Sequence, residues 1–251
     1  MFNMLVVNPM VNLLIWIYSL IGNFGVAIIL FTILIRLLTH PLTVQQIRSS
    51  QKMQDFQKSD KWQAIQKKYK DDKQKLQQEQ MKLYQEMGVN PFSSCLPTLI
   101  QFPIIIGLYQ AITHALAVTP FQMVTLAGQL YPRLGFSPLL PVDNNFLWMN
   151  LSQPERVYIM GIGIPVLAIV VVITTYMQSK LMAPPAQPGD QSAQMTQAMN
   201  IYMPLFMGYL ALTFASGLSL YFIVSNLVSI AQYGLMGKLN WRNLVPGMKA
   251  K

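Results

Sequence analysis

The residue whose chemistry most needs an account is Arg36. Residues Met1–Ile35 contain no Asp, Glu, Lys or Arg, and Arg36 closes that run shortly before His40-Pro41, where a helix should end or kink. An arginine at the centre of a membrane-spanning helix costs roughly 2.5–3.5 kcal/mol on insertion scales, which marks it as a candidate binding group for anionic or polar partners. Thr32, Arg36 and Thr39 fall at i, i+4 and i+7 on one helix face, and Thr43 extends the stripe if the helix survives Pro41. Two more polar stripes lie in apolar surroundings: Ser94, Thr98 and Gln101, then Ser219, Asn226 and Ser229 with Phe222 on the same face. Taken singly, such hydroxyls are helix-packing glue, and an arginine this close to Pro41 could snorkel to the headgroups. Three stripes and one cation together predict a wet cavity that opens on the membrane side nearest Arg36. Catalysis finds no support in the residue types. No paired carboxylates occur in or near the spans, there is no His-Glu metal spacing or Gly-rich phosphate loop, His40 and His114 lie far apart, and Cys95 has no basic neighbour to activate it. Neither an enzyme nor a bound cofactor is expected.

Positioning these groups falls to helices. The chain has 251 residues, 53% of them hydrophobic and only 11% charged, with a mean hydropathy of +0.36. A soluble globular chain carries about 25% charged residues, so this one lacks the ionised surface to coat a water-soluble domain. The uncharged stretches are Met1–Ile35, Met87–Pro132, Val157–Ser179 and Gln191–Gly237. A span needs about 20 predominantly apolar residues, and the last stretch is long enough for two, with a turn at Ser216-Gly217. The prediction is an all-α polytopic membrane protein with five transmembrane helices at 18–41, 92–115, 157–179, 197–215 and 217–238. Residues 1–17 are expected to lie in the interface, since Asn3, Asn8 and Asn12 are polar without charge. With no Lys or Arg before Arg36, a signal peptide is not expected.

The charge is lopsided, 18 Lys+Arg against 9 Asp+Glu, net +9. Residues 42–87 alone hold ten basic and six acidic side chains. Basic loops mark the cytoplasmic side, which places 42–88, 180–196 and the tail 239–251 inside, the loop 116–156 outside, the N-terminus outside and the C-terminus in the cytoplasm. The 42–87 segment has no Pro or Gly, and Trp62, Ile65 and Tyr69, then Leu76, Leu83, Tyr84 and Met87, recur at helical spacing. With a turn at Lys70-Asp71-Asp72-Lys73, it predicts an antiparallel helical hairpin on the cytoplasmic face. This is either a solvated loop or a docking platform for polypeptide or ribosomal RNA. Its interspersed carboxylates argue against tight phosphate binding, and DNA is not an expected partner. In the fourth span Met195, Met199, Met203 and Met207 recur every four residues. Methionine adapts to varied apolar shapes, so Met199, Met203 and Met207 are candidate hydrophobic contacts for substrate, the alternative being ordinary packing or lipid-facing surface. Ala183–Ala198, rich in Pro, Gln and Ala, reads as a flexible loop.

The segments Gly88-Val89-Asn90-Pro91, Cys95-Leu96-Pro97 and Gln101-Phe102-Pro103-Ile104 resemble the signature of the YidC/Oxa/Alb membrane protein insertases. So do Gly22-Asn23, Ile33-Leu34-Ile35-Arg36 and Pro41-Leu42-Thr43. Phe146-Leu147-Trp148 ahead of Leu151 is similar to the family's external loop, and Ser216-Gly217-Leu218, Leu220-Tyr221-Phe222 and Ser225-Asn226-Leu227 to its last span. The resemblance implies a compact member: five transmembrane helices around a hydrophilic groove, sealed outside and open to cytoplasm and lipid. It puts the groove arginine at Arg36, its helical partner at Thr32 and the groove glutamine at Gln101. Thr98, Asn226 and the adjacent pair Tyr221 and Phe222 complete the expected substrate-binding groove. The family's aromatic contact falls on Phe222 without its polar handle, and Asn150 stands where the family often has Asp. The implied activity is insertion and chaperoning of nascent membrane proteins in the bacterial plasma (inner) membrane, without nucleotide hydrolysis. The ribosome, the Sec translocon and targeting factors are the implied partners. A channel using Arg36 as an anion site would need polar groups in both membrane halves or internal repeats, and the sequence has neither. A purely structural assembly partner would leave Arg36 idle.

Overall fold

The computed structural model describes residues 3–69, 72–88, 96–116, 120–131, 142–159, 161–182, 191–237 and 239. It is mostly helical. A π-helical turn, Asn3–Val7, runs into α1 (Asn8–Ile21), then α2 (Phe24–Leu38), α3 (His40–Lys58), α4 (Asp60–Lys68), α5 (Lys73–Glu86), α6 (Leu96–Ala115) and α7 (Pro120–Gln129). Two antiparallel hairpins follow, β1 (Asn145–Phe146) with β2 (Met149–Asn150), and β3 (Val157–Ile159) with β4 (Ile162–Ile164). The chain closes with α8 (Val166–Met182), α9 (Gln191–Thr213) and α10 (Ser216–Leu235). Residues 1–37 with 106–251 form one compact unit, and 38–105 a second.

Local chemistry sets the helix ends in the first unit and revises two expected boundaries. Gly22 at φ +74° caps α1, its N–H donating to the Tyr18 carbonyl, and Asn23 Oδ1 accepts from Val26 N to open α2. The run expected as one span at 18–41 is therefore split. The residues expected to lie in the interface belong to a helix, Asn3–Ile21, that is long and apolar enough to cross a bilayer. The second correction is at 157–164, expected as the start of a span. Val157 pairs with Ile164 and Ile159 with Ile162, Gly161 at φ +83° makes the turn, and α8 begins only after Pro165. Pro165 suits a helix start because its missing N–H would have had no partner there.

Among the described residues, Asn3–Ile21 and Ser216–Leu235 meet the length and hydropathy of a span. A third is added if Phe24–Leu38 and His40–Ser49 count as one broken span, while α8 is a shorter apolar helix. Five were expected from the uncharged runs, which need not be apolar along their whole length. Residues 191–200 of α9 carry Gln191, Ser192, Gln194, Thr196, Gln197 and Asn200.

Side-chain and backbone hydrogen bonds tie the loops to the helix ends. Asn12, 3% exposed, donates to the Asn8 and Gln129 carbonyls and accepts from Tyr131 N, so it joins α1 to the end of α7. Leaving such a buried amide unpartnered costs about 1–3 kcal/mol. The β1–β2 hairpin lies over the start of α2, where the Phe146 ring sits against Gly25. The end of β2 receives Ser216 Oγ at the Asn150 carbonyl (2.7 Å), and the loop after it receives Gly217 N at the Leu151 carbonyl (3.0 Å), which seats the start of α10. Glu155 accepts from Trp148 Nε1 with one oxygen and from Leu167 N with the other, placing an anion at the N-terminus of α8. Helix α8 packs against both α9 and α10, and Gly208 lets α9 come close to Val172 of α8.

In the second unit, residues 40–86 form three helices where two were expected. Ser59 adopts an extended backbone and its hydroxyl accepts from Trp62 N, ending α3 and starting α4 anew. Phe56, Trp62 and Leu83 are buried together, with the Phe56 ring 5.5 Å from Trp62 and 4.3 Å from Tyr84. Residues 70 and 71 of the expected turn lie outside the described residues. Asp72 caps α5 by accepting from Lys75 N at 3.1 Å. That bond first, and the Lys75 ammonium second among the stabilising groups, hold its carboxyl below the usual carboxylate range. A carboxylate whose pKa is depressed by folding stabilises above its unfolded pKa of about 3.9 and loses that contribution as pH falls below it. Hydrogen exchange at the Lys75 amide should thus accelerate relative to its intrinsic rate below about pH 4, and Asp72→Asn, an uncharged cap, should abolish that step.

Candidate functional site

Helix α2 is uncharged up to its last turn, where Arg36 stands beside the helix's partly negative C-terminal end. Because Cβ atoms tilt toward a helix's N-terminus, the side chain starts back along α2, toward the β1–β2 hairpin end. Its Nε donates to Ser225 Oγ at 2.9 Å, and a second guanidinium nitrogen donates to the same oxygen. The Arg36 carbonyl accepts from Gln232 Nε2 at 3.1 Å. Arg36 is half-buried and turned onto α10. It does not extend away from the neighbouring helices as a snorkelling side chain would.

The other expected residues divide. Thr32 is fully buried, and its hydroxyl donates to the Ile28 carbonyl of its own helix at 2.6 Å. Asn226 Nδ2 donates to Thr174 Oγ1 at 3.2 Å and Thr175 Oγ1 at 2.9 Å, which binds α10 to α8. Ser219 donates to the Ala211 carbonyl of α9, and Ser229 to the Ser225 carbonyl. Tyr221 and Phe222 are both buried, 3% and 7% exposed, with ring centroids 5.6 Å apart. Thr98 and Gln101 are on the first half of α6, and Met195 and Met199 on the first half of α9, but their side chains lie outside the described residues. Met203 and Met207 are half-buried, whereas Tyr202, Tyr209 and Leu205 form the more exposed part of α9. The signature at 89–95, the loop 183–190 and residues 240–251 also lie outside the described residues.

Gln232, Thr174 and Thr175 were not singled out from the sequence, and Ser225 was named only within the last-span motif. A signal existed for Ser225 and Gln232: Ser225, Ser229 and Gln232 fall at i, i+4 and i+7, the test that isolated Thr32, Arg36 and Thr39. Chemically, the arrangement is a guanidinium of α2 bonded to a neutral hydroxyl of α10, and α2, α8, α9 and α10 carry no Asp or Glu. Such a site favours an anionic or strongly polar partner. Among the described residues no group of His, Cys, Asp and Glu could hold a metal ion.

Residues 16–242 match the protein family described as 60Kd inner membrane protein. The chain is 40% identical over 233 residues to the membrane protein insertase MisCA of Bacillus subtilis, covering 90% of this chain and 76% of that one. It is 34% identical over 222 residues to the chloroplast inner membrane protein ALBINO3 of Arabidopsis thaliana, with 86% of this chain and 47% of the relative covered. Among solved structures, an active YidC insertase with its first transmembrane domain resolved superposes with a TM-score of 0.55 at 29% identity. That match covers 86% of this chain and 42% of the YidC chain.

Proposed function

Since the chain belongs to the YidC/Oxa/Alb family of membrane protein insertases, we propose that it inserts nascent membrane proteins into the bacterial plasma membrane without hydrolysing nucleotide. The observation that carries the mechanism is the Arg36 guanidinium held at Ser225 on α10. Arg36 draws an acidic or polar segment of the substrate into a hydrophilic groove formed with Thr98, Gln101, Tyr221, Phe222 and Asn226, while Thr32 packs beside it. Shortening the hydrocarbon path lowers the cost of moving that segment part-way across. The apolar segment of the substrate meanwhile partitions into lipid past Met199, Met203, Met207 and the exposed face of α9, and hydrophobic transfer with the membrane potential drives the step. Five spans, an outside N-terminus and a cytoplasmic C-terminus complete the arrangement. The basic helices α3 to α5 and the tail face the cytoplasm, where they meet the ribosome, targeting factors or the Sec translocon.

The decisive test is reconstitution of the purified protein alone in liposomes with a single-span substrate. The expected result is protease-protected, membrane-integrated substrate in the absence of nucleotide. Anion flux without insertion would overturn this reading in favour of a channel.

A further inference from the structure

Gln232 is 6% exposed on the last two turns of α10, and its amide makes one described bond, from Nε2 to the Arg36 carbonyl. Its Oε1 is buried and has no hydrogen-bond partner among the described residues. A buried amide that leaves one end unsatisfied incurs a desolvation cost, so the other end must do something specific. The acceptor it chooses is the backbone of the one charged residue in α2, at the turn where the chain breaks at Thr39 ahead of Pro41. A carbonyl in a helix's last turn can accept from a side chain of another helix.

Ser225, which holds the guanidinium of the same residue, lies seven positions before Gln232 on α10. Seven residues make close to two turns, so both side chains project from one face, separated by about 10 Å along the axis. Gln232 thus grips the backbone of Arg36 near the end of α10, and Ser225 grips its head at the middle of that helix. The side chain is held lengthwise between them, its charge displaced from the helix end toward the centre.

From this geometry we infer that Gln232 is a positioning residue for Arg36: with Ser225 it forms a two-point clamp that fixes the depth of the positive charge and so sets the preference for acidic substrate segments. The inference rests on the reading of Arg36 given under Proposed function. Without Gln232 the end of α2 loses this bond to α10, the head can relax toward the nearer interface, and the charge no longer meets a substrate segment deep in the groove.

The experiment is a mutant cycle in the reconstituted full-length protein, read with two substrates that differ only in an acidic or a neutral translocated tail. Gln232→Met keeps length and volume and removes the amide. It should lower insertion of the acidic-tailed substrate roughly fivefold, the equivalent of one lost hydrogen bond, and leave the neutral-tailed one unchanged. In an Arg36→Ala background the same change should have no further effect. Ser225→Ala should also lower insertion of the acidic-tailed substrate, and Gln232→Leu, which likewise removes the amide, carries the cycle should Gln232→Met fail to fold. An equal fall for both substrates, or the same fall with Arg36 already removed, would mean a merely structural role and overturn the clamp. An unchanged Gln232→Met beside a defective Arg36→Ala would overturn the clamp and leave the function of Arg36 standing. An unaffected Arg36→Ala would remove both.

Discussion

Arg36→Ala should lose insertion of acidic-tailed substrates by at least about tenfold, equivalent to about 1.4 kcal/mol of barrier, while Arg36→Lys should keep most of it. The size follows from where the charge sits. One bonded partner, Ser225, offers a hydroxyl, which stabilises a cation without neutralising it, and no carboxylate occurs in α2, α8, α9 or α10. At an effective dielectric constant near 20, a unit charge about 4 Å away would gain up to about 4 kcal/mol, so a loss of one decade is a conservative expectation. Lysine preserves the charge and one donor to Ser225 but not the planar pair of N–H groups that both reach Oγ. A modest fall for lysine and a large one for alanine is the signature of attraction by charge. The measurement is the protease-protected fraction with tails of −2, 0 and +2 charge, and equal activity of the alanine variant on all three would remove Arg36 from the mechanism.

Gly25→Leu should destabilise the first unit by about 3 kcal/mol, the upper end of ordinary overpacking. A Cβ at Gly25 would stand 2.1 Å from Cγ of Phe146, far inside contact distance, and the ring belongs to the short β1–β2 hairpin. That hairpin cannot simply lift, because the end of β2 and the loop after it accept hydrogen bonds from Ser216 and Gly217 at the start of α10. Thermal unfolding in detergent should shift down by on the order of 6–12 °C, taking roughly 2–4 °C per kcal/mol. Adding Phe146→Ala should recover a good part of the loss, since it removes the clashing ring. Gly128→Ala is the control, with nothing within 4 Å of its added Cβ, and should leave the transition where it was. A Gly25→Leu protein that melts with the wild type would show that the hairpin is not packed against α2.

These expectations differ in how far they were legible beforehand. That Arg36 is singular was plain from the uncharged run before it. That Gly22-Asn23 would break the first span was not drawn from the sequence, although both residues supply what a helix C-cap and N-cap need. The Ser59 break was hidden for a related reason: a continuous helical pattern of apolar residues gives no sign of a single hydroxyl that captures a backbone N–H. The uncharged stretch at 157–164 misled because lack of charge reports tolerance of a dry environment. It does not report the helical period, and Gly161 with Pro165 turned the segment into a hairpin.

Composition, charge asymmetry and family motifs are properties of the chain read in order, and they determined the class of protein, the helical character and the candidate residue on which the proposed mechanism rests. Which hydroxyl receives the guanidinium was decided elsewhere. Ser225 and Gln232 are 189 and 196 positions from Arg36, and only the packing of α10 brings them to it. The same packing buried Tyr221 and Phe222 and spent Asn226 on Thr174 and Thr175. Caps and turns are settled by neighbours a few residues away, so their causes are written locally. A polar group inside a membrane-type bundle must find whichever partner the helix packing presents, because leaving it unpaired costs more than almost any local preference can offset.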